Sequence, residues 1–474
     1  MSLIRRLLSK ESKPPVEAVL RAGVLPRLVQ LLGGGAGVDT KLQFEAAWAI
    51  TNVASTEHTS AVVQAGAVPP LVAGMMSGDP ELRDQCIWCL GNIAGDCAAY
   101  RDGVLNTPGA LNAIMANVQN PHSLQLLRNA TWTLSNLCRG KPSPAAAHAQ
   151  AVVPALAYLL SQTDKEVLQD AAWGLSYLTD GEALMQTVLD AGVVPRCVEL
   201  MGHAELTVVT PALRIIGNFI SGNDRQTQAA LDAGALALIT PLLSHANKSV
   251  RREACWAVSN VAAGTKEQLS LLMTTPALMP AVVRLLSKGS EPACRKEAAW
   301  VVCNVATVGT QEHAAAVLAL GVVQPLTDLL ATTQDPRILS VVLDALKSLL
   351  DMGAANRLGA PGGGAGTLAD AFEEAGLLDA LDQIQQFAQE DVYQKCVAII
   401  ETHFGFDPED EEPPAASATE AALPAPFNGG LTALNLAAGA GNALNFYGAS
   451  APGACAPGGG FSAMPFNFSN VSFT

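Results

Sequence analysis

The residues best suited to chemistry in this chain are a tryptophan and an asparagine four positions apart, met again and again. Trp48/Asn52, Trp88/Asn92, Trp132/Asn136, Trp256/Asn260 and Trp300/Asn304 are intact pairs, and Trp173/Tyr177 and Arg214/Asn218 are altered ones in the same register. An indole face attracts cations and accepts the methylene stem of Lys or Arg, each contact contributing roughly 0.5–2 kcal/mol. An asparagine amide both donates and accepts, so it can hold the N–H and C=O of an extended peptide without reading its sequence. Acids placed to meet cationic tips are Asp96, Asp170, Asp180, Asp224, Glu253 and Glu297. The chemistry is therefore recognition of an extended basic peptide. A single Trp-x-x-x-Asn would read as a core indole with a structural amide. Repetition in register points instead to an exposed ladder, because Trp is rarely fully buried and needs no amide one turn away in every copy.

The elements that must carry the ladder follow from its period. Its first members stand at positions 48, 88, 132, 173, 214, 256 and 300, an interval typical of two- or three-helix armadillo or HEAT units. Positions i and i+4 share a helical face, so Trp and Asn project together while Ala47, Ile50 and Val53 serve the core. A second marker precedes each unit: Ala22-Gly-Val-Leu-Pro26, Ala65-Gly-Ala-Val-Pro69, Ala191-Gly-Val-Val-Pro195 and Ala233-Gly-Ala-Leu236, and in weaker form Pro108-Gly109, Val152-Val-Pro154, Pro276-Ala-Leu and Gly321-Val-Val. Gly supplies a tight turn and Pro suits a first helical turn, so each phrase predicts the start of a helix. The expected fold is all-α, a right-handed superhelical solenoid of armadillo repeats, whose side-by-side ladder helices would line one concave surface.

Composition narrows the partners. With Lys and Arg totalling 28 against 43 Asp and Glu, the chain carries a formal charge of -15, which argues against nucleic acid and for a basic partner. Apolar stretches such as 312–331 are broken by Gln324, Pro325 and Asp328, so no membrane insertion is expected. The ten cysteines lack framework spacing and suit buried small hydrophobes in a reducing compartment. Cys86-Ile-Trp-Cys89 has redox or zinc-half-site spacing but lies inside a ladder helix with no second pair. The histidines are dispersed and none accompanies a nucleophile motif. No catalytic constellation, metal site or cofactor site is expected, and the chain reads as a non-enzymatic protein.

Gln43-Phe-Glu-Ala-Ala-Trp-Ala-Ile-Thr-Asn52, Arg128-Asn-Ala-Thr-Trp-Thr-Leu-Ser-Asn136, Trp173-Gly-Leu-Ser-Tyr-Leu-Thr-Asp-Gly181 and Lys296-Glu-Ala-Ala-Trp300 closely resemble repeats of the importin alpha (karyopherin alpha) family. The resemblance spans about residues 1–405. It implies an adaptor that binds Lys/Arg-rich nuclear localisation signals of cargo proteins and shuttles between cytoplasm and nucleus. It implies a major peptide site on Trp48, Asn52, Trp88, Asn92, Asp96, Trp132 and Asn136, with Asp170, Trp173 and Tyr177 at its edge. A minor site would use Arg214, Asn218, Glu253, Trp256, Asn260, Glu297, Trp300 and Asn304. Within that scheme Arg214 either interrupts the run of lysine slots, splitting the groove in two, or is a plain surface charge.

The chain departs from the family pattern in places. Importin beta is the expected partner, yet the basic segment that binds it is missing before residue 1, through either an incomplete sequence or an open receptor. The turn Val53-Ala-Ser-Thr-Glu-His58 replaces the family's Ser-Gly beside the deepest lysine pocket, and Ser348 stands where Asn would extend the minor site. The expected organisation is a fragment of a first repeat at 1–12 and eight repeats over 14–353. A Gly-rich insertion at 354–366, a degenerate last repeat at 367–405 and an acidic, then low-complexity, disordered tail at 406–474 complete it. Glu409–Glu412 resembles the region an export receptor engages. The opening segment to Lys10 reads as the last helix of that truncated repeat rather than a transit peptide. The rival function is an armadillo scaffold of the catenin type, which would favour acidic peptides.

Overall fold

The computed structural model describes residues 2–10, 14–35, 37–355 and 366–405, and every regular element among them is a helix. Most of the Gly-rich stretch and all of the 406–474 tail lie outside the described residues. The described chain falls into two compact units, one up to Leu238 and one from Ile239 onward.

A typical repeat runs Thr59–Gln64, Val68–Gly74, Pro80–Asp96: two short helices, then a long one carrying the rung. The long helices are Thr40–Ala54, Pro80–Asp96, Leu124–Cys138, Lys165–Leu178 and Leu206–Ile220 in the first unit, and Lys248–Ala262, Pro292–Val308 and Pro336–Ala354 in the second. Most start at a side-chain cap: Asp39, Asp79, Ser123, Asp164, Asn247 and Asp335 each accept from a backbone N–H of the first turn. Such a cap contributes about 1 kcal/mol. Within each unit consecutive long helices pack directly on one another. In the Thr40–Ala54 helix Ala46, Ala47, Ala49, Ile50 and Val53 are fully or almost fully buried, whereas Trp48 and Asn52 are only half-buried. Burial around most of the helix leaves one narrow strip open, and the rung lies on it.

The phrases predicted to open helices do so at Leu25–Leu32, Val68–Gly74, Ala110–Gln119, Val194–Leu200, Ala235–Leu242, Leu278–Leu286 and Val323–Leu330. Gly66, with φ at 76°, supplies the left-handed turn in the clean form of the phrase, while Ala277 takes that conformation with φ at 60° in a weaker one. Val152-Val-Pro154 is a correction. The Ala146–Leu159 helix runs straight through it with Pro154 inside. No residue of this phrase takes a left-handed conformation, so nothing turns the chain, and the helix continues at the cost of one backbone hydrogen bond. The opening segment is a helix, Ser2–Leu8, packed on Thr40–Ala54.

Candidate peptide-binding ladder

All six indoles, Trp48, Trp88, Trp132, Trp173, Trp256 and Trp300, are half-buried. Each sits on a separate long helix, so helix packing sets the spacing between rungs. The seating is close at Trp132. A Cβ added to Gly91 would lie 2.3 Å from Cζ3 of the Trp132 ring and 2.6 Å from Thr133 Oγ1. The glycine is what lets the indole lie against the preceding helix.

The amides are committed differently from what their type alone predicts. Asn136 Nδ2 donates to the Gly91 carbonyl at 3.2 Å, and Asn218 Nδ2 donates to the Ser176 carbonyl at 3.2 Å and to Thr179 Oγ1 at 3.0 Å. Both side chains are buried. These two tie rung to rung, and what they offer a ligand is chiefly the amide oxygen. Asn260 Nδ2 donates within its own helix to the Trp256 carbonyl at 3.1 Å, Asn52 Nδ2 donates to Ser9 Oγ at 2.9 Å, and Asn304 is half-buried. Asn92 is the contrast: its Nδ2 is buried with no hydrogen-bond partner, a donor that the protein itself leaves unsatisfied. Ser348 donates to the Ala306 carbonyl at 2.8 Å, so the substituted rung also leans on the helix before it.

The acids divide as well. Asp96 ends the Pro80–Asp96 helix and is exposed at its tip. Desolvation holds its carboxyl above the ordinary value, partly offset by hydrogen bonding with Thr59. Asp170 is pushed up to about 7 by desolvation, against a weak bond from Gln169 Nε2 at 3.4 Å. Glu297 is raised by desolvation and accepts from Ser259 Oγ at 2.8 Å. Glu253 is buried. Partly dehydrated carboxylates of this kind gain most from an incoming cation. Asp180 does not belong with them, because Lys141 Nζ pairs with its carboxylate at 2.9 Å. Asp224 opens the Asp224–Asp232 helix and is exposed.

Trp173 and Tyr177 stack on one helix, centroids 5.9 Å apart at 23°, so this rung presents a doubled ring face in place of a ring and an amide. Arg214 is half-buried. In the turn after Ala54, Ser55 Oγ donates to the Asn52 carbonyl at 3.1 Å, Thr56 Oγ1 to that of Val53 at 2.8 Å, and Thr59 Oγ1 to that of Ala54 at 3.0 Å. The Asn52, Val53 and Ala54 carbonyls at this helix end thus already have side-chain donors.

Sequence reasoning missed the first rung's surroundings. Arg5 from the Ser2–Leu8 helix lies over the Trp48 ring, its Cζ 4.2 Å from the centroid, and its Nε donates to Glu45 Oε2 at 2.8 Å. Glu45 stands three residues before Trp48, as Glu253 and Glu297 stand before their own tryptophans, so the same spacing rule could have found it. Gln85 was missed too: it stands three before Trp88 and donates to Thr51 Oγ1 at 2.7 Å.

The described residues contain no single helix long and apolar enough to cross a membrane. Cys86 and Cys89 are buried thiols, Cys86 held well above its ordinary pKa and Cys89 at about 12 by desolvation.

Comparison with known proteins agrees with this architecture. The armadillo/beta-catenin-like repeat family matches residues 12–55, 55–95, 149–180 and 223–263, and the atypical Arm repeat family matches 367–417. A crystal structure of an engineered protein, 26% identical, covers 84% of this chain and 93% of its own with a TM-score of 0.72. The fold is thus an all-α solenoid of armadillo repeats. Importin subunit alpha-1b of Oryza sativa subsp. japonica is 39% identical over 413 residues, 86% of this chain and 76% of the relative. Importin subunit alpha-3 of Arabidopsis thaliana is 41% identical over 413 residues, 86% and 77% of the two chains. Identity at that level, carried along most of both sequences and through the repeats that hold the ladder, means that this chain belongs to the importin alpha family.

Proposed function

We propose that this importin alpha family member, an adaptor of nuclear import and not an enzyme, binds the Lys/Arg-rich localisation signals of cargo as extended peptides along its ladder. The major site runs from Trp48 to Tyr177, with Asp96 as the acid that meets a lysine ammonium. A minor site uses Glu253, Trp256, Asn260, Glu297, Trp300 and Asn304; Arg214 and Asn218 stand at the end of the first unit's ladder. The observation that carries the reading is the pairing of half-buried indoles with an unsatisfied Asn92 donor on consecutive packed helices. Indoles take the cationic stems, and the amide groups take the peptide backbone. Importin beta is the expected transport partner, an export receptor is the expected partner of the last repeats, and cytoplasm and nucleus are the expected locations.

The test is fluorescence anisotropy with a labelled Lys-rich signal peptide. Trp88→Ala and Asp96→Ala should each weaken binding about ten- to a hundredfold, and Asp96→Lys should weaken it further by adding repulsion. Unchanged affinity in all three would remove the site assignment. Preference for an acidic catenin-type peptide over the basic one would favour the scaffold reading.

A further inference from the structure

At the first rung the chain itself engages both members. Arg5 covers one face of Trp48 at 4.2 Å, within the range of a cation–π contact, and Glu45 anchors that guanidinium at 2.8 Å. The Arg5 and Glu45 side chains are only 19% and 20% exposed, so the contact is packed rather than a loose surface pair. Ser9, four residues on, accepts from Asn52 Nδ2 at 2.9 Å and donates to the Arg5 carbonyl at 2.8 Å. Arg5 therefore occupies on Trp48 the position a peptide lysine stem would take between rungs. At the Trp132 rung the residue in register on the preceding long helix is Trp88, an indole and not a cation.

We propose that Arg5, held by Glu45, is a register stop. It fills the cation slot on the Ser2–Leu8 side of Trp48, so a bound basic peptide must place a residue without positive charge where it passes that helix. The inference rests on the peptide-binding reading above and adds a specificity rule to it. A further Lys or Arg at that point would have to displace Arg5 from both the ring and the carboxylate, and would meet its charge at close range.

Two labelled peptides on a Gly/Ser backbone test this, one with four consecutive lysines and one with a single lysine added at each end. For the wild-type chain the ratio of their Kd values should lie close to one. Arg5→Met keeps an apolar stem but removes the cation, and should improve that ratio in favour of the longer run by roughly five- to tenfold. Arg6→Met, which removes the same charge from an exposed position of the same helix, should leave the ratio as in the wild type. If Arg5→Met fails to fold by circular dichroism, Glu45→Gln, which frees the guanidinium without deleting it, should move the ratio in the same direction. Equal shifts for Arg5→Met and Arg6→Met, or no shift in either Arg5→Met or Glu45→Gln, would overturn the stop while leaving the peptide site intact. Failure of both peptides to bind the wild-type chain would overturn the underlying reading as well.

Discussion

Asp170 stands three residues before Trp173, and its carboxyl is moved by desolvation from an ordinary 3.8 to about 7. Between those values the folded chain binds more protons at this site than the unfolded chain, so its contribution to stability falls as pH rises from about 4 to 7. Asp170→Asn should therefore flatten the pH dependence of unfolding and stabilise the protein at pH 8 on the order of 1–3 kcal/mol, read by urea titration at pH 5 and pH 8. An unchanged profile would mean that water reaches the carboxylate freely. If the proposed major site docks a lysine beside Asp170, the ionised form is restored and a proton is released on binding. The buried thiols belong to the same scale: Cys89, Cys138 and Cys197 are each pushed up to about 12 by desolvation, so at neutral pH they are packing groups rather than nucleophiles.

At the level of elements, the ladder depends on how closely one long helix approaches the next. Gly91 and Trp132 mark one close approach, and Gln85 with Thr51 and Glu297 with Ser259 repeat a second device, a polar residue three before a Trp bonded to a hydroxyl three after the previous Trp. Gly91→Ala should cost about 1–3 kcal/mol from overpacking, because a methyl 2.3 Å from the indole must push the ring or the helix aside. It should also weaken basic-peptide binding, since Trp132 is displaced. Gly103→Ala is the matched control: this exposed helical glycine has nothing within 4 Å of its added Cβ, and the change should stabilise by about 0.5–1 kcal/mol. Thermal unfolding of the two variants side by side decides it, and equal effects would mean that the Gly91 approach relaxes without cost. Pro154 teaches a related point. Proline alone did not start a helix; what turns the chain in the other phrases is a left-handed residue such as Gly66 or Ala277, and none stands at 152–154.

For the whole molecule the formal charge of -15 sets the long-range field. A basic peptide should bind more weakly as salt rises from 50 to 300 mM, because attraction to an acidic protein is screened within about 10 Å at 0.1 M. A salt-independent anisotropy titration would point to apolar contacts instead. The repeat period, the all-α class, the helix starts at most Gly-Pro phrases and the rung residues were legible in the linear chain, because a 3.6-residue turn and a fixed repeat length project directly into spacing. Which groups a rung leaves for a ligand was not legible. Asn92 and Asn136 occupy the same register position, yet one amide donor is unsatisfied and the other is spent on the Gly91 carbonyl. Asp96 and Asp180 were equally plausible acids, yet only Asp180 is paired with Lys141. Arg5 lies 43 residues before the tryptophan it covers. The sequence by itself determined what kind of side chain each helix carries and how often, since that is periodic and local. Only tertiary packing decided which of them meet a partner from the neighbouring helix, since hydrogen bonds and ring contacts depend on distances across repeats that no local spacing contains.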